Sequence, residues 1–257
     1  MLQAILPVIP PLMPTLPATL VDNYWAEFLG CNLDQLLSDG HIYRLTASKH
    51  QNIWAMARHS SWVVILPASW PQRLCEQMYH CFQPNLLPDA AQLQRLLDQI
   101  GHQQLYGPAL ILLHDRSRKP QLDRSAQPAR LVRPLTHMDE VQVRAFCAAA
   151  SPIVWTLQEP ALWPKIFGVF VDEQLVATCG VRIWGELLAE LYVDTLPTQW
   201  RRGYGKIATD AALQWVHNES PYLAESVVEL ANQASWRLMH NAGFTPYAYM
   251  LTSFVTD

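Results

Sequence analysis

The residues with the clearest capacity for chemistry lie in one segment of the C-terminal half, residues 190–206. A strand-like run leads there into a loop with two arginines and two glycines, and a helix-like run follows at once. The loop residues of interest are Arg201, Arg202, Gly203, Gly205 and Lys206. Glycines let a backbone turn tightly, a helix N-terminus carries partial positive charge, and the basic side chains add ionic contacts. The segment therefore predicts a cradle for an anion such as a pyrophosphate.

This loop differs from two familiar phosphate-binding sequences. It has neither the GxxxxGK(S/T) spacing of the P-loop nor the three glycines of the dinucleotide-binding fingerprint. A tight turn that only enters a helix would use the same glycines. That structural interpretation stays open beside the anion cradle.

The elements that would position this loop alternate between strands and helices. From residue 131 onward the predicted order is strand, helix, β-hairpin, strand, glycine loop, helix, strand, helix and strand. The predicted strands are 131–133, 167–171, 175–183, 187–194, 226–230 and 247–254, and the predicted helices are 136–149, 204–217 and 233–241. Thr136 should cap the first helix, the hairpin should turn at 172–173, and Gly243 should end the last helix.

The region from about residue 131 to 254 resembles the GNAT superfamily of acyl-coenzyme A-dependent N-acyltransferases. Residues 200–205 look like the family's (Q/R)xxGx(G/A) motif, with Trp200 where Gln or Arg is usual. Residues 232–244 are similar to the family's Asn-led helix that ends in Gly-Phe, with Met239 where many relatives carry a tyrosine. The order of the elements is the third point of resemblance.

The resemblance implies a co-substrate, acetyl-CoA, and a place for it. In this superfamily two neighbouring parallel strands splay apart and the pantetheine arm lies between them; here these would be 187–194 and 226–230. Backbone groups near Val193 and Thr195 would bind the pantetheine amides, and the amides of 202–206 would hold the pyrophosphate. The implied coenzyme-binding residues are Val193, Thr195, Arg201, Arg202, Gly203, Tyr204, Gly205, Lys206 and Asn232. Asn232 also suits a helix N-cap.

The reaction that the resemblance implies is direct attack of an amine on the thioester, which needs a proton acceptor. Strand alternation places Glu190, Tyr192 and Asp194 on one face. Glu190 is the candidate base, acting through water, because relatives often place a catalytic glutamate on this strand; Asp194 is the alternative. A solvated or ion-paired glutamate is the structural interpretation.

A proton donor for the departing thiolate is not assigned. A thiol with a pKa of about 8.5 leaves readily, so solvent can protonate it. The side-chain candidates are His240, Tyr247 and Tyr249.

Composition narrows the class of protein. The 257 residues carry a formal net charge of -4, so no global positive field would attract nucleic acid. Five cysteines without a CxxC pair favour reduced thiols in the cytoplasm over a disulfide framework. The histidines show no HExxH, so no metal site is expected. Prolines interrupt the apolar N-terminus, which argues against a signal peptide or a membrane span.

Shifts in composition predict two domains. A proline-rich arm covers residues 1–21, a small α/β domain 22–113, a basic linker 114–130 and the acyltransferase-like domain 131–257. The small domain would shape the acceptor site or be a degenerate acyltransferase-like domain. The arm and the last strand are possible contacts of a homodimer.

The expectation is thus an α/β protein with a mixed sheet, an N-acetyltransferase that moves acetyl from acetyl-CoA to a primary amine of a small molecule or peptide. Trp155, Trp163 and Trp184 fall where the family builds its acceptor pocket or the adjacent core. The departures at Trp200 and Met239 favour the alternative, a catalytically silent acyl-CoA sensor. A purely structural interaction protein is the third possibility.

Overall fold

The computed structural model of this chain describes residues 18–47, 50–101, 103–118, 130–150 and 154–255. Most of the predicted proline-rich arm and basic linker lies outside these residues. The chain divides into two compact units. Unit 1 comprises Met1–Leu112, Val228–Gln233 and Pro246–Asp257, and unit 2 comprises Leu113–Val227 and Ala234–Thr245.

Unit 1 is an α/β unit built on five strands. Its helices are α1 (Ala18–Leu29), α2 (Leu33–Leu37), α3 (Gln72–Tyr79) and α4 (Ala90–Leu97). Its strands are β1 (Ile42–Ala47), β2 (Trp54–Ala57), β3 (Trp62–Pro67), β4 (Gln103–His114) and β10 (Phe244–Val255), in the order β1-β3-β2-β10-β4. β1 and β3 are parallel, whereas β2 pairs antiparallel with β3 and with β10. All of β3 is buried, as its continuous apolar sequence requires.

A buried ion pair links three elements of unit 1. Arg58, which follows β2, is 2% exposed, and its Nε donates to Asp22 Oδ1 on α1 at 3.0 Å. The guanidinium also donates to the backbone oxygen of Tyr247 on β10, and the Tyr247 hydroxyl donates to the same Asp22 oxygen at 2.6 Å. These hydrogen bonds compensate the charges for their loss of water.

Unit 2 carries the region that resembles an acyltransferase. It holds β5 (Arg130–Pro134), α5 (Glu140–Ala149), β6 (Lys165–Val171), β7 (Gln174–Trp184), β8 (Leu188–Thr195), α6 (Tyr204–Glu219), β9 (Leu223–Glu229) and α7 (Gln233–Asn241), with 3-10 turns at His137–Asp139 and Pro197–Gln199. The strands lie in the order β5-β6-β7-β8-β9. They are antiparallel from β5 to β8, whereas β8 and β9 are parallel.

Three local signals in unit 2 act as the sequence predicts. The Thr136 hydroxyl accepts the amide of Met138 at the helical start. Asp172 and Glu173 take positive φ angles of 47° and 65°, as the tight turn of the β6–β7 hairpin needs. Gly243 ends α7 with φ at 98°.

The last strand belongs to a different unit from the one that the sequence suggests. The predicted domain 131–257 includes residues 228–233 and 246–257, but both segments are part of unit 1. The reason for the second is that β10 pairs with β2 over four residues, from Tyr249 to Thr252. Among the described residues, no helix combines the length and apolar character that crossing a membrane requires.

Candidate functional site

β8 and β9 of unit 2 run in parallel but pair only at their beginnings. The pairs are Leu188↔Leu223, Ala189↔Ala224 and Glu190↔Glu225. β8 continues to Thr195 and β9 to Glu229, yet among these described residues no further ladder pair joins the strands. The backbone ladder between the two strands therefore ends at Glu190 and Glu225, as expected from the resemblance, and beyond it the Ser226 hydroxyl donates to the backbone oxygen of Leu191 at 3.3 Å. Parted strands leave backbone N–H and C=O groups that a ligand with amides can bind.

Glu190 is a buried carboxylate held by two donors. It is 5% exposed, and its Oε2 accepts hydrogen bonds from Trp184 Nε1 and the Tyr192 hydroxyl, each at 2.5 Å. Burial raises the pKa of Glu190 above its usual range, while the two hydrogen bonds and the charge of Arg182 oppose this rise. A fixed carboxylate with a raised pKa has the chemistry of a proton acceptor near neutral pH.

Aromatic rings and one cation surround this carboxylate. Arg182 lies directly opposite Glu190 in the pairing of β7 with β8. Its guanidinium lies 4.4 Å from the centre of the Trp184 ring and 5.8 Å from that of Trp163. Trp163 is itself buried and meets Tyr192 edge-on, with the ring centres 5.0 Å apart. Trp163 and Trp184 therefore lie beside the candidate base.

Asp194, the alternative base, lies further along the same face of β8. Its Oδ2 accepts the indole N–H of Trp155 at 3.2 Å, and the same N–H reaches the Thr178 hydroxyl at 3.2 Å. Trp155 packs directly on Gly180, where a Cβ would come within 3.1 Å of the tryptophan side chain. Burial raises the pKa of Asp194 to about 6, against the effect of the Trp155 hydrogen bond. Asp194 is thus a second carboxyl able to exchange protons near neutral pH.

The loop after β8 is tied back to the strand by Trp200. The indole Nε1 donates to the carbonyl oxygen of Thr195 at 2.8 Å, while the side chain stays 60% exposed. Arg201 and Gly203 take positive φ angles of 62° and 82°, and both are exposed, as is Arg202. A Cβ built on Gly203 would meet nothing within 4 Å. The described side chains of the protein therefore leave the space beside this turn open.

α6 begins directly after Gly203, a residue that has no side chain to cap the helix. The N-terminus of this 16-residue helix carries a partial positive charge, which favours an anion. A Cβ on Gly205 would lie 3.1 Å from Thr195 Oγ1, so this glycine lets the helix approach β8. Tyr204 is buried, and the Lys206 ammonium pairs with Asp210 at 2.5 Å.

The other residues that the sequence suggests for the site have different surroundings. Asn232 directly precedes α7 and is exposed, and Met239 is buried within that helix. Tyr247 serves the ion pair of unit 1, and burial raises the pKa of Tyr249 to about 12. His240 lies beside the Trp236 ring. Among the residues that the structure describes, no three His, Cys, Asp or Glu side chains are grouped so that they could hold a metal ion.

Two charged residues near Glu190 were missed by sequence reasoning. Glu225 is 1% exposed and in register with Glu190, but the predicted strand 226–230 begins one residue too late to include it. Arg182 lies within a predicted strand, where no chemistry was assigned to it. The available signal was a charged residue inside an otherwise apolar strand. Burying such a charge costs free energy unless it is paired or hydrogen-bonded.

Comparison with known proteins identifies the C-terminal region. Residues 136–244 match the model of the acetyltransferase (GNAT) family. No curated protein matches this chain. Solved structures with similarity include a GCN5-related N-acetyltransferase from Kribbella flavida (20% identity, 64% of this chain and 64% of that chain, TM-score 0.45) and an acetyltransferase from the GNAT family from Colwellia psychrerythraea (17%, 63% and 61%, 0.46). The matches span less than two thirds of either protein.

A third similar structure is a conserved protein of unknown function from Staphylococcus epidermidis, at 12% identity over 70% of this chain and 76% of that chain, with a TM-score of 0.50. At such low identity this likeness concerns the fold alone. The family match rests on its own residues, which run from the capped helical start at Thr136 to the Gly-Phe end of α7. Residues 136–244 form a domain of the acetyltransferase (GNAT) family.

Proposed function

We propose that this protein transfers the acetyl group of acetyl-CoA to a primary amine of a small molecule or a peptide. The observation that carries the proposal is the parting of β8 and β9 immediately beyond two buried carboxyl groups, Glu190 and Glu225, within the family domain. GNAT domains act in acyl transfer from acetyl-CoA. The identity of the acceptor depends on side chains outside the family's shared motifs.

The residues of unit 2 fit the two ends of the coenzyme. The parted edge of β8, with Val193 and Thr195, offers backbone groups to the pantetheine amides. One Thr195 carbonyl lone pair accepts from Trp200, and a carbonyl oxygen has a second lone pair for a ligand. The pyrophosphate suits the start of α6, where Gly203 leaves open space and Arg201 and Arg202 are exposed.

Acetyl-CoA supplies the thioester carbonyl that the amine attacks. We assign Glu190 the role of proton acceptor, directly or through a water molecule. Its two donors, Trp184 and Tyr192, hold Oε2 in place and leave Oε1 for the proton. Because burial raises the pKa of Glu190, the carboxylate is a stronger base than an exposed glutamate would be. Asp194 is the alternative acceptor on the same face.

A second candidate function is a catalytically silent acyl-CoA sensor. Two observations favour it: Trp200 occupies the motif position that usually holds Gln or Arg, and Met239 is an apolar, buried residue where many relatives carry a tyrosine. A sensor would bind the coenzyme in the same place but turn none over.

The test uses the purified full-length chain with acetyl-CoA and a panel of primary amines. Binding should raise the unfolding temperature, since a ligand at 100 times its dissociation constant adds about 2.7 kcal/mol to stability. Release of free thiol together with an acetylated amine would support the transferase. Binding without any turnover would favour the sensor. Absence of binding would overturn both functions.

A further inference from the structure

Arg182 of β7 lies directly opposite Glu190, the proposed base, in the pairing of β7 with β8. Paired residues of adjacent strands point to the same face, with their Cβ atoms about 4.5–5.5 Å apart. Arg182 is also the only basic residue in the sequences of β7, β8 and β9. The positive charge that these strands supply to the buried carboxylate is therefore this guanidinium.

The guanidinium of Arg182 lies against a ring that hydrogen-bonds to the base. Its central carbon is 4.4 Å from the centre of the Trp184 ring, and the Trp184 indole N–H donates to Glu190 Oε2. The centre of the buried Trp163 ring is 5.8 Å from the same carbon. A guanidinium is attracted to the face of an indole by the charge distribution of the ring. Arg182 and Trp184 therefore hold each other in place beside Glu190.

The charge of Arg182 also acts on Tyr192, the second donor to Glu190. Burial and the neighbouring charge of Glu190 raise the pKa of Tyr192, and the charge of Arg182 opposes this rise. Because the pKa of Tyr192 stays raised, its hydroxyl keeps its proton at neutral pH and remains a donor to Glu190 Oε2. Tyr192 in turn meets the Trp163 ring edge-on. Arg182 thus interacts with both side chains that donate to the carboxylate.

Acidic groups otherwise dominate the surroundings of Glu190. Within unit 2, the other titratable groups that β7, β8 and β9 place on this face are Tyr192 and Asp194 on β8 and Glu225 on β9, and Cys147 of α5 lies close enough to Asp194 for the two charges to interact. Burial raises the pKa of Glu190, whereas its two hydrogen bonds and the charge of Arg182 oppose the rise. Without Arg182, burial would be less opposed, so Glu190 would hold a proton up to a higher pH.

We propose that Arg182 is a positioning residue for Glu190: its guanidinium holds Trp184 against the carboxylate and supplies the charge that keeps Glu190 ionised until the amine arrives. This inference rests on the proposed acetyl transfer, in which Glu190 accepts a proton of the amine. An arginine is charged at any pH that a folded protein tolerates, so Arg182 stabilises the carboxylate without exchanging a proton itself. Burial makes Glu190 a stronger base, and Arg182 prevents its protonation before the amine binds.

The first experiment measures the ionisation of Glu190 in the free protein, without acetyl-CoA. Infrared difference spectra against the corresponding Glu190→Gln protein isolate the carboxyl bands of Glu190, and their pH dependence gives its titration midpoint. Arg182→Met keeps a long side chain but removes the charge, so it should raise the midpoint by about 1–3 pH units. Arg144→Gln removes an exposed arginine of the same unit and should leave the midpoint unchanged. An unchanged midpoint in Arg182→Met would overturn the proposal.

Arg182→Lys separates the charge from the stacking. An ammonium keeps the positive charge but lacks the planar face that stacks on an indole. The titration midpoint of Glu190 in Arg182→Lys should therefore lie closer to that of the wild type than to that of Arg182→Met. A midpoint equal to that of Arg182→Met would show that the charge does not keep Glu190 ionised, and would overturn the proposal.

The second experiment measures kcat and KM against pH with acetyl-CoA and an accepted amine. The acid limb of kcat/KM reports the ionisation of the base in the free enzyme. In Arg182→Met this limb should move to higher pH by the same shift as the infrared midpoint, so turnover falls at neutral pH and recovers at alkaline pH. Acetyl-CoA affinity, measured by calorimetry, should stay near the wild-type value, and Arg144→Gln should match the wild type throughout.

A purely structural Arg182 would scale the rate by one factor at every pH, and that result would overturn the proposal. Melting curves identify a variant that fails to fold, and Arg182→Gln then replaces Arg182→Met in both experiments. A wild-type protein with no turnover on any amine would overturn the proposed function. The infrared midpoints would still decide separately whether Arg182 keeps Glu190 ionised.

Discussion

The indole N–H of Trp200 donates to the carbonyl oxygen of Thr195 at 2.8 Å, which joins the start of the glycine loop to the end of β8. The residue that departs from the family motif therefore makes a contact that ties the loop to the strand. A bond of this kind contributes about 0.5–1.5 kcal/mol net.

Replacing Trp200 by Phe keeps an aromatic ring but removes the N–H. We expect the dissociation constant for acetyl-CoA to rise about 2- to 10-fold. The variant loses the net free energy of one hydrogen bond that holds the loop, so binding must supply this free energy instead. Isothermal titration calorimetry measures the change. Tighter binding by the Phe variant would mean instead that the indole competes with the coenzyme for the Thr195 carbonyl.

Gly203 and Gly40 form a matched pair for separating backbone strain from ligand binding. Both have positive φ, 82° and 76°, and a Cβ on either would meet nothing within 4 Å. Alanine at either position should therefore lower the free energy of unfolding by about 1–2 kcal/mol, the cost of a left-handed residue with a Cβ. Only Gly203→Ala should also weaken acetyl-CoA binding, as read from denaturation and thermal-shift titrations. If both variants bind acetyl-CoA equally well, Gly203 is not part of the coenzyme site.

Glu190→Gln tests the proposed base. Turnover at neutral pH should fall by about 10²–10⁴-fold, the range for loss of a general base, while acetyl-CoA affinity stays near the wild-type value. Glu186→Gln, at an exposed position before the same strand, is the control and should leave both quantities unchanged. Steady-state kinetics and calorimetry together separate the two effects. Wild-type turnover by the Gln variant would leave Asp194 as the remaining candidate base on β8.

Asp194 should make stability depend on pH. Burial raises its pKa in the folded protein from 3.8 to about 6, so between these values the native state binds more protons than the unfolded state. The contribution of Asp194 to the free energy of unfolding is therefore most favourable below about pH 4 and declines until about pH 6. The Asp194→Asn variant has no carboxyl group at this position, so its free energy of unfolding does not show this decline.

As the pH rises from about 4 to about 6, the free energy of unfolding of Asp194→Asn should increase by roughly 1–3 kcal/mol relative to that of the wild type. The reason is that each pKa unit corresponds to about 1.4 kcal/mol. Urea denaturation at both ends of the window gives the difference. A constant difference between the two proteins across the window would show that the Asp194 pKa is the same folded and unfolded.

The ion pair of unit 1 should be a large single contributor to stability. Asp22→Asn leaves the Arg58 guanidinium buried without its counter-charge, which costs about 3–5 kcal/mol. Glu140→Gln breaks the exposed pair with Arg144 and should cost less than about 1 kcal/mol. Chemical denaturation measures the free energy of unfolding of both variants. Similar losses in the two variants would mean that the Arg58 charge reaches water.

The sequence predicted a structural feature correctly where the conformational preference of one residue determines that feature. The cap at Thr136, the turn at Asp172–Glu173 and the helix stop at Gly243 depend on side-chain oxygens and backbone angles within a few residues. β2 was not predicted, because its four residues are too few to show an alternating pattern. It becomes a strand through its pairing with β3 and β10.

The sequence by itself determined the glycine turn after β8, the helix that follows it and the presence of Glu190 on the strand before it. Only the tertiary structure decided that Arg182, Glu190 and Glu225 meet in one row. They come from three strands, and the register between strands follows from hydrogen bonding and packing over the whole sheet, which no local window of sequence contains. The point at which β8 and β9 part is a property of the same kind, and it places the two carboxyls at the candidate site.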